Sequence, residues 1–174
     1  MMYKKLKATE LYNYLLKSND LISIPEIVLS IICEYCLSIR EKCVQKFGCY
    51  GYEDGEFVLP QEIAISEKEI YVVDSGNNRI QIFSDKGQFL SKFGSKGTEP
   101  GLFRCPSGIA VDGEGKIIVS ENYGSRIQIF SKYGDFIAFV GSENLFREPA
   151  FIAVDHNGRI IVADATYNII QFCS

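Results

Sequence analysis

The sequence predicts an all-β repeat protein preceded by a short α-helical unit, and two internal observations carry that prediction. The first is self-similarity: Arg79-Ile-Gln-Ile-Phe-Ser84 recurs as Arg126-Ile-Gln-Ile-Phe-Ser131, 47 positions further on. Ile63-Ala-Ile65 likewise answers to Ile109-Ala-Val111 and Ile152-Ala-Val154, and Ile70 to Asp74 answers to Ile117 to Glu121 and Ile160 to Asp164, which makes three copies. The second is the period of the apolar residues, which is two, in short runs rich in Ile, Val and Phe bounded by Gly, Asn, Asp and Pro.

The first element is helical and covers residues 1–42. Ala8 to Leu16 and Pro25 to Leu37 read as two helices separated by Lys17-Ser-Asn-Asp20, with Asp20 or Ser23 available as a cap and Pro25 suited to a first turn. The second helix is apolar on nearly every side, so it must be covered. Its segment Ile24-Pro-Glu-Ile-Val-Leu-Ser-Ile-Ile-Cys-Glu-Tyr-Cys36 resembles the opening helix of an F-box, a module that docks substrate receptors onto ubiquitin-ligase scaffolds. The reading beside it is a helix that caps an exposed sheet edge.

Residues 43–174 follow as the repeat array, with copies at about 48–94, 95–141 and 142–174. In the first copy four runs read as strands: Glu62 to Ser66, Glu69 to Asp74, Arg79 to Ser84 and Phe89 to Phe93. Four strands in about 45 residues is the size of one β-propeller blade. Asp112-Gly113, Asn157-Gly158, Lys86-Gly87 and Tyr133-Gly134 each put a glycine where a hairpin calls for positive φ.

The motifs Pro106-Ser-Gly-Ile-Ala-Val-Asp112, Gly115-Lys-Ile-Ile-Val-Ser120, Ser125-Arg-Ile-Gln-Ile-Phe130 and Gly134-Asp-Phe136 with Gly141, in that order and spacing, resemble the NHL-repeat β-propeller family. The resemblance implies an all-β propeller segment of three four-stranded blades acting as a non-catalytic protein-interaction module. Two further activities come with it as alternatives, substrate recognition in a ubiquitin-ligase complex and RNA binding. The copies are not identical: Glu62 stands where the second has Gly108 and the third Phe151, and Ile169 stands where the others have Arg79 and Arg126.

Asp74 and Arg79 are five apart, as are Glu121 and Arg126, so an acid ending one strand and an arginine opening the next flank the same turn. Such pairs are expected to close the hairpin by charge-assisted hydrogen bonds rather than to form a reactive rim. Asp164 lacks that arginine and is the acid free for another role. In the propeller fold, the loops joining strands two and three and those joining strand four to the next blade share one face. Here they carry Tyr50, Tyr52, Tyr123 and Tyr167, with Asn77 and Asn78, and an aromatic with a polar tip suits a partner surface. The asparagines, with Asn168, also suit left-handed turn positions.

Composition narrows the classes. Eighteen Lys and Arg against 22 Asp and Glu leave a net charge of −4, and residues 43–174 hold 12 basic and 17 acidic side chains, which disfavours nucleic acid. Lys92, Lys96, Arg104 and Lys132 are the residues from which a local basic patch would have to come. No apolar run reaches the roughly 18 to 20 residues of a spanning helix. No membrane contact and a cytoplasmic location are therefore expected.

A metal-dependent lyase of this family would need several histidines, and the chain has only His156. Cys33, Cys36, Cys43 and Cys49 have spacings suggestive of zinc but sit in apolar context, so no metal, cofactor or catalytic set is expected.

Length adds one expectation. Cys43 to Gly48 matches Phe89 to Gly94, so the array opens on a lone fourth strand and ends after a third strand at Cys173. Closed propellers have roughly four to eight blades, and three leave two open flanks. One expectation is a homodimer that closes a six-bladed ring, the opening strand of each chain completing the last blade of the other; the alternatives are an open arc capped by the helices and a fragment of a longer gene.

Overall fold

The computed structural model describes residues 45–141 and 145–173. The expected helical unit, Cys33, Cys36 and Cys43 lie outside the described residues.

Alternating apolar residues and tight turns build three antiparallel sheets in sequence. The first contains β1 (Pro60–Ser66), β2 (Glu69–Asp74), β3 (Arg79–Ser84) and β4 (Phe89–Phe93). The second contains β5 (Pro106–Val111), β6 (Ile117–Glu121), β7 (Arg126–Phe130) and β8 (Phe136–Phe139). The third has three strands, β9 (Pro149–Val154), β10 (Ile160–Asp164) and β11 (Ile169–Cys173). Each strand pairs with its sequence neighbour, and the innermost strand β5 lies beside both β1 and β9. This is the arrangement of successive propeller blades, all-β as the repeats predict.

Because side chains alternate across a strand, each blade presents one apolar face forward and one backward. Tyr71, Val73, Ile80 and Ile82 of the first blade meet Ile109, Ile117, Val119 and Phe130 of the second in one buried cluster. Ala110, Ile118 and Ile127 of the second meet Ile152, Ile160 and Val162 of the third in another. The loop entering each blade adds an aromatic to the seam. Phe103 is fully buried between Phe93 and Phe130, with ring centroids 6.2 and 5.5 Å away. Gly94 has φ +84°, and a Cβ there would run into the Phe103 ring, so both backbone and packing require glycine.

Turn chemistry follows the sequence with one correction. Gly87, Gly134 and Gly158 take positive φ, but Gly113 does not, and Gly115 does. The reason is the turn's first residue. Asp112 Oδ1 accepts from the N–H groups of both Glu114 and Lys116, making a longer loop whose left-handed position falls at Gly115. Asp155 does the same with Asn157 and Arg159, ahead of Gly158. Of the lone opening strand expected over Cys43 to Gly48, the described residues 45–48 form no strand.

Glu62 shows why the copies differ at that position. Its carboxylate accepts the Ile109 N–H at 2.8 Å across the first seam. At the second seam there is no room for such a side chain, since a Cβ on Gly108 would lie 2.8 Å from the Ala150 carbonyl oxygen and 3.1 Å from the Ile152 nitrogen. Burial pushes the Glu62 carboxyl above its ordinary value, against a smaller downward pull from the Ile109 N–H. A raised folded-state pKa favours the proton-bound form, so the associated stability is present below the unfolded value of about 4.3 and is lost as pH rises through the folded one. Glu62→Gln keeps the acceptor without the charge. The variant is expected to melt above the parent at pH 7 and level with it at pH 3 by circular dichroism; a lower melting temperature at pH 7 would count against this account.

Candidate functional site

The loop face is held by a buried polar lock in each of the first two blades. Asp74, which ends β2 with no solvent exposure, accepts from Arg79 Nε at 2.7 Å and from Gln81 Nε2 at 3.1 Å through Oδ2. Its Oδ1 accepts the Val58 N–H at 2.8 Å. The Arg79 guanidinium then reaches the entering loop, donating to the carbonyls of Tyr52, Glu53 and Glu56 at 2.7 to 2.9 Å. Gln81 closes the circuit, donating to the Glu56 carbonyl and accepting the Gly55 N–H. A carboxylate, a guanidinium and an amide thus bond to one another and to the backbone of the entering loop.

The second blade repeats this with one more methylene. Glu121 accepts from Arg126 Nε at 2.6 Å, Gln128 Nε2 at 2.7 Å and the Arg104 N–H at 2.7 Å. Arg126 donates to the carbonyls of Thr98 and Leu102, and Gln128 takes the Gly101 N–H. In the third blade Ile169 leaves Asp164 without an arginine, and its carboxylate accepts backbone N–H groups of Arg147, Glu148 and Tyr167 instead. Burial pushes the Asp164 carboxyl upward, but the backbone N–H groups of Arg147, Tyr167, Glu148 and Thr166 outweigh it and hold the carboxyl below its usual range. Asp164 is therefore a loop anchor, not a free acid.

Gln81, Gln128 and Gln171 are the functional scaffold residues that spacing alone does not reveal. The available signal was a glutamine inside the repeated Arg-Ile-Gln-Ile-Phe, where alternation places it on a buried face. Gln171 donates to the Leu145 carbonyl at 3.3 Å.

These locks set out the tyrosines. Tyr50 and Tyr52 stand exposed on the loop that Arg79 holds, with their hydroxyl oxygens 3.3 Å apart and their rings edge to face at 6.1 Å. The Tyr52 hydroxyl pushes the Tyr50 phenol above its ordinary value. Tyr123 is exposed in the β6–β7 turn and Tyr167 in the β10–β11 turn, at the equivalent corners of the second and third blades.

Asn77 is joined to this loop by donating to Asp74 Oδ2 and to the Gly51 carbonyl, and its backbone belongs to a 3-10 turn, Ser75–Asn77, rather than a left-handed position. Asn78 and Asn168 do take left-handed backbone, with φ 53° and 54°. The Asn78 Oδ1 accepts the Cys105 N–H at 2.9 Å, stapling the first blade to the second. Both amides are engaged by the scaffold, so the tyrosines are the aromatic groups this face offers outward.

His156 and Cys49 are exposed, and among the described residues no three His, Cys, Asp or Glu side chains gather closely enough to hold a metal ion. No helix among the described residues is long and apolar enough to cross a membrane.

Comparison with known proteins agrees with the fold. Residues 52–137 match a family model described as a 6-bladed beta-propeller. Over 86 residues, 47% of this chain, the sequence is 37% identical to Protein brain tumor of Drosophila melanogaster, and over 76 residues, 43% of the chain, it is 34% identical to the RING finger protein nhl-1 of Caenorhabditis elegans. The matched stretch is 8% of the length of each of these relatives.

Among solved structures, virginiamycin B lyase from Staphylococcus aureus superimposes with a TM-score of 0.56 at 19% identity, covering 72% of this chain and 40% of the lyase. The WD40 propeller domain of Doa1 does so with a TM-score of 0.52 at 15% identity, covering 66% of this chain and 36% of that one. These two likenesses concern the fold alone. The matched family model, with the three copies and their blade-by-blade pairing, identifies the repeats of this chain as β-propeller repeats, similar in sequence to Protein brain tumor and nhl-1.

Proposed function

We propose that this chain is a non-catalytic protein-binding module, and that the loop face bearing Tyr50, Tyr52, Tyr123 and Tyr167 receives the partner. Its partners on this reading are proteins, a second copy of the chain among them. One observation carries the reading: four exposed tyrosines project from turns and loops whose backbones are held by hydrogen bonds, to Arg79 at the first blade, from Asn122 to the Cys105 carbonyl at the second and to Asp164 at the third. A rigid loop loses little conformational freedom on binding, so aromatic area on it converts into affinity more fully than the same area on a mobile one. Tyrosine adds a hydroxyl that finds a partner when the ring is covered.

The test is affinity purification with mass spectrometry from the native cell, comparing the parent chain with Tyr123→Ala/Tyr167→Ala. The variant is expected to lose its main partner while its circular dichroism melt stays within a degree or two of the parent. Recovery of the same partners by both chains would remove the loop face from consideration.

Two relatives bear RING-finger and B-box zinc-finger names, which favours a second reading, substrate recognition within a ubiquitin-ligase complex. A pull-down that recovers no ligase scaffold component overturns it.

A further inference from the structure

The acid of each blade takes the backbone N–H of one residue at the end of the entering loop: Val58 on Asp74, Arg104 on Glu121 and Arg147 on Asp164, at 2.7 to 2.8 Å. Only the backbone is used, so the side chain at that place is free to differ between blades. It is valine in the first blade and arginine in the second and third, and both arginines are exposed. Arg79, Arg126 and Arg159 each pair with a carboxylate, whereas among the described residues Arg104 and Arg147 pair with none. Their donors are left to solvent.

Backbone ties set these two arginines in a row with two of the tyrosines. The Asn122 N–H donates to the Cys105 carbonyl at 3.0 Å, and the Ser125 hydroxyl donates to the Arg147 carbonyl at 2.7 Å. The turn that carries Tyr123 is thereby fastened beside Arg104 at one end and to Arg147 at the other. Beyond Arg147, the Ala165 N–H donates to the Glu148 carbonyl at 3.0 Å and the Tyr167 N–H to Asp164 Oδ1 at 3.1 Å, which brings in the next turn. Arginine and tyrosine therefore alternate along the loop face as Arg104, Tyr123, Arg147 and Tyr167, all four exposed.

We infer that this row binds an acidic segment of a partner protein, the two guanidinium groups taking carboxylates and the two tyrosine rings covering the chain between them. The inference rests on the loop face being a partner surface and adds what that surface selects. A guanidinium presents its donors in a planar fork that meets a carboxylate with two parallel hydrogen bonds, which an exposed lysine cannot do. Arginine and tyrosine are also the residue types on which binding energy concentrates. Because the backbone ties preset the order and spacing of the row, little freedom is lost when a segment lies along it.

The charges around the row favour a protein over a nucleic acid. Lys96 is a further exposed cation on the entering loops, but Glu53, Asp54 and Glu99 are exposed there too, and Glu148 follows Arg147. A nucleic acid strand carries a phosphate at every nucleotide and would meet those acids. A protein segment can carry carboxylates at two points and neutral residues elsewhere.

A random dodecapeptide display library panned on the 174-residue chain tests this. The recovered peptides are expected to be rich in Asp and Glu, to lose affinity when those acids are replaced by amides, and to bind more weakly as salt is raised. Arg104→Gln/Arg147→Gln alters only exposed side chains, so it is expected to melt with the parent by circular dichroism while binding the selected peptides about tenfold more weakly. Recovery of no binders, of peptides without an excess of acids, or of acidic peptides that bind the variant as well as the parent overturns the proposal. So does a random single-stranded RNA library of the same length that yields the tighter binders, which would assign the row to phosphate. The Tyr123→Ala/Tyr167→Ala chain separates this inference from the wider reading. Peptides that ignore the arginines but are lost on that chain leave the face standing as a partner surface and remove its acidic selectivity; peptides that ignore both changes remove the face altogether.

Discussion

Asp74→Ala is expected to lower the unfolding free energy by about 3–5 kcal/mol, the range for removing one partner of a buried ion pair. The loss exceeds that of one hydrogen bond because four donors converge on this carboxylate: the Arg79 guanidinium, the Gln81 and Asn77 amides and the Val58 N–H. With the carboxylate gone the guanidinium remains charged in a site its own side chain barely exposes to water. Asp74→Ala/Arg79→Met removes the stranded charge and is expected to recover part of the loss. Urea denaturation at pH 7 and one fixed protein concentration reads both numbers. A single-variant loss below about 1 kcal/mol, typical of exposed pairs, would mean that the lock is not the stabilising device described.

Phe103→Ala is expected to cost a comparable amount, about 3–5 kcal/mol, by leaving a cavity in the seam between the first two blades. Phe103 is fully enclosed by Phe93, Phe130 and the backbone at Gly94, none of which can move in without breaking strand pairing. Phe57, its counterpart on the first blade, is only partly covered, so Phe57→Ala is expected to cost less. The same urea series gives the comparison. Equal losses at the two positions would show that the cost comes from the lone ring and not from the enclosed seam.

Repeat spacing made most of the β architecture legible before any coordinates. The identical Arg-Ile-Gln-Ile-Phe-Ser segments became β3 and β7, and the five-residue separation of Asp74 and Arg79 became a 2.7 Å ion pair. What spacing could not show was the destination of the remaining guanidinium hydrogens. They go to backbone carbonyls, and a carbonyl looks the same at every residue, so Tyr52, Glu53 and Glu56 carry no mark of that role. The same limit applies to Asp164. Its missing arginine was visible, but the N–H groups that replace it belong to a loop whose path depends on the packing of Phe146 in the seam.

At Glu62 and Gly108 the sequence displayed a difference without its cause, because the room at a seam is a property of two copies together. Gly113 misled for a local reason: Asp-Gly marks the shortest hairpins, and here the aspartate side chain organises a longer one.

The polar locks have a bearing on how such an array grows. Every listener to the Glu121 carboxylate lies within residues 95–141, and so do the carbonyls that Arg126 and Gln128 address. A tandem duplication of that stretch would add a unit whose buried charges are already neutralised internally, leaving apolar complementarity as the main condition on its new neighbours. Apolar seams tolerate substitution far better than buried charge networks do. Confining the ionic chemistry within the copy therefore frees lineages to change blade number by simple gene duplication, with the seams repacking afterwards.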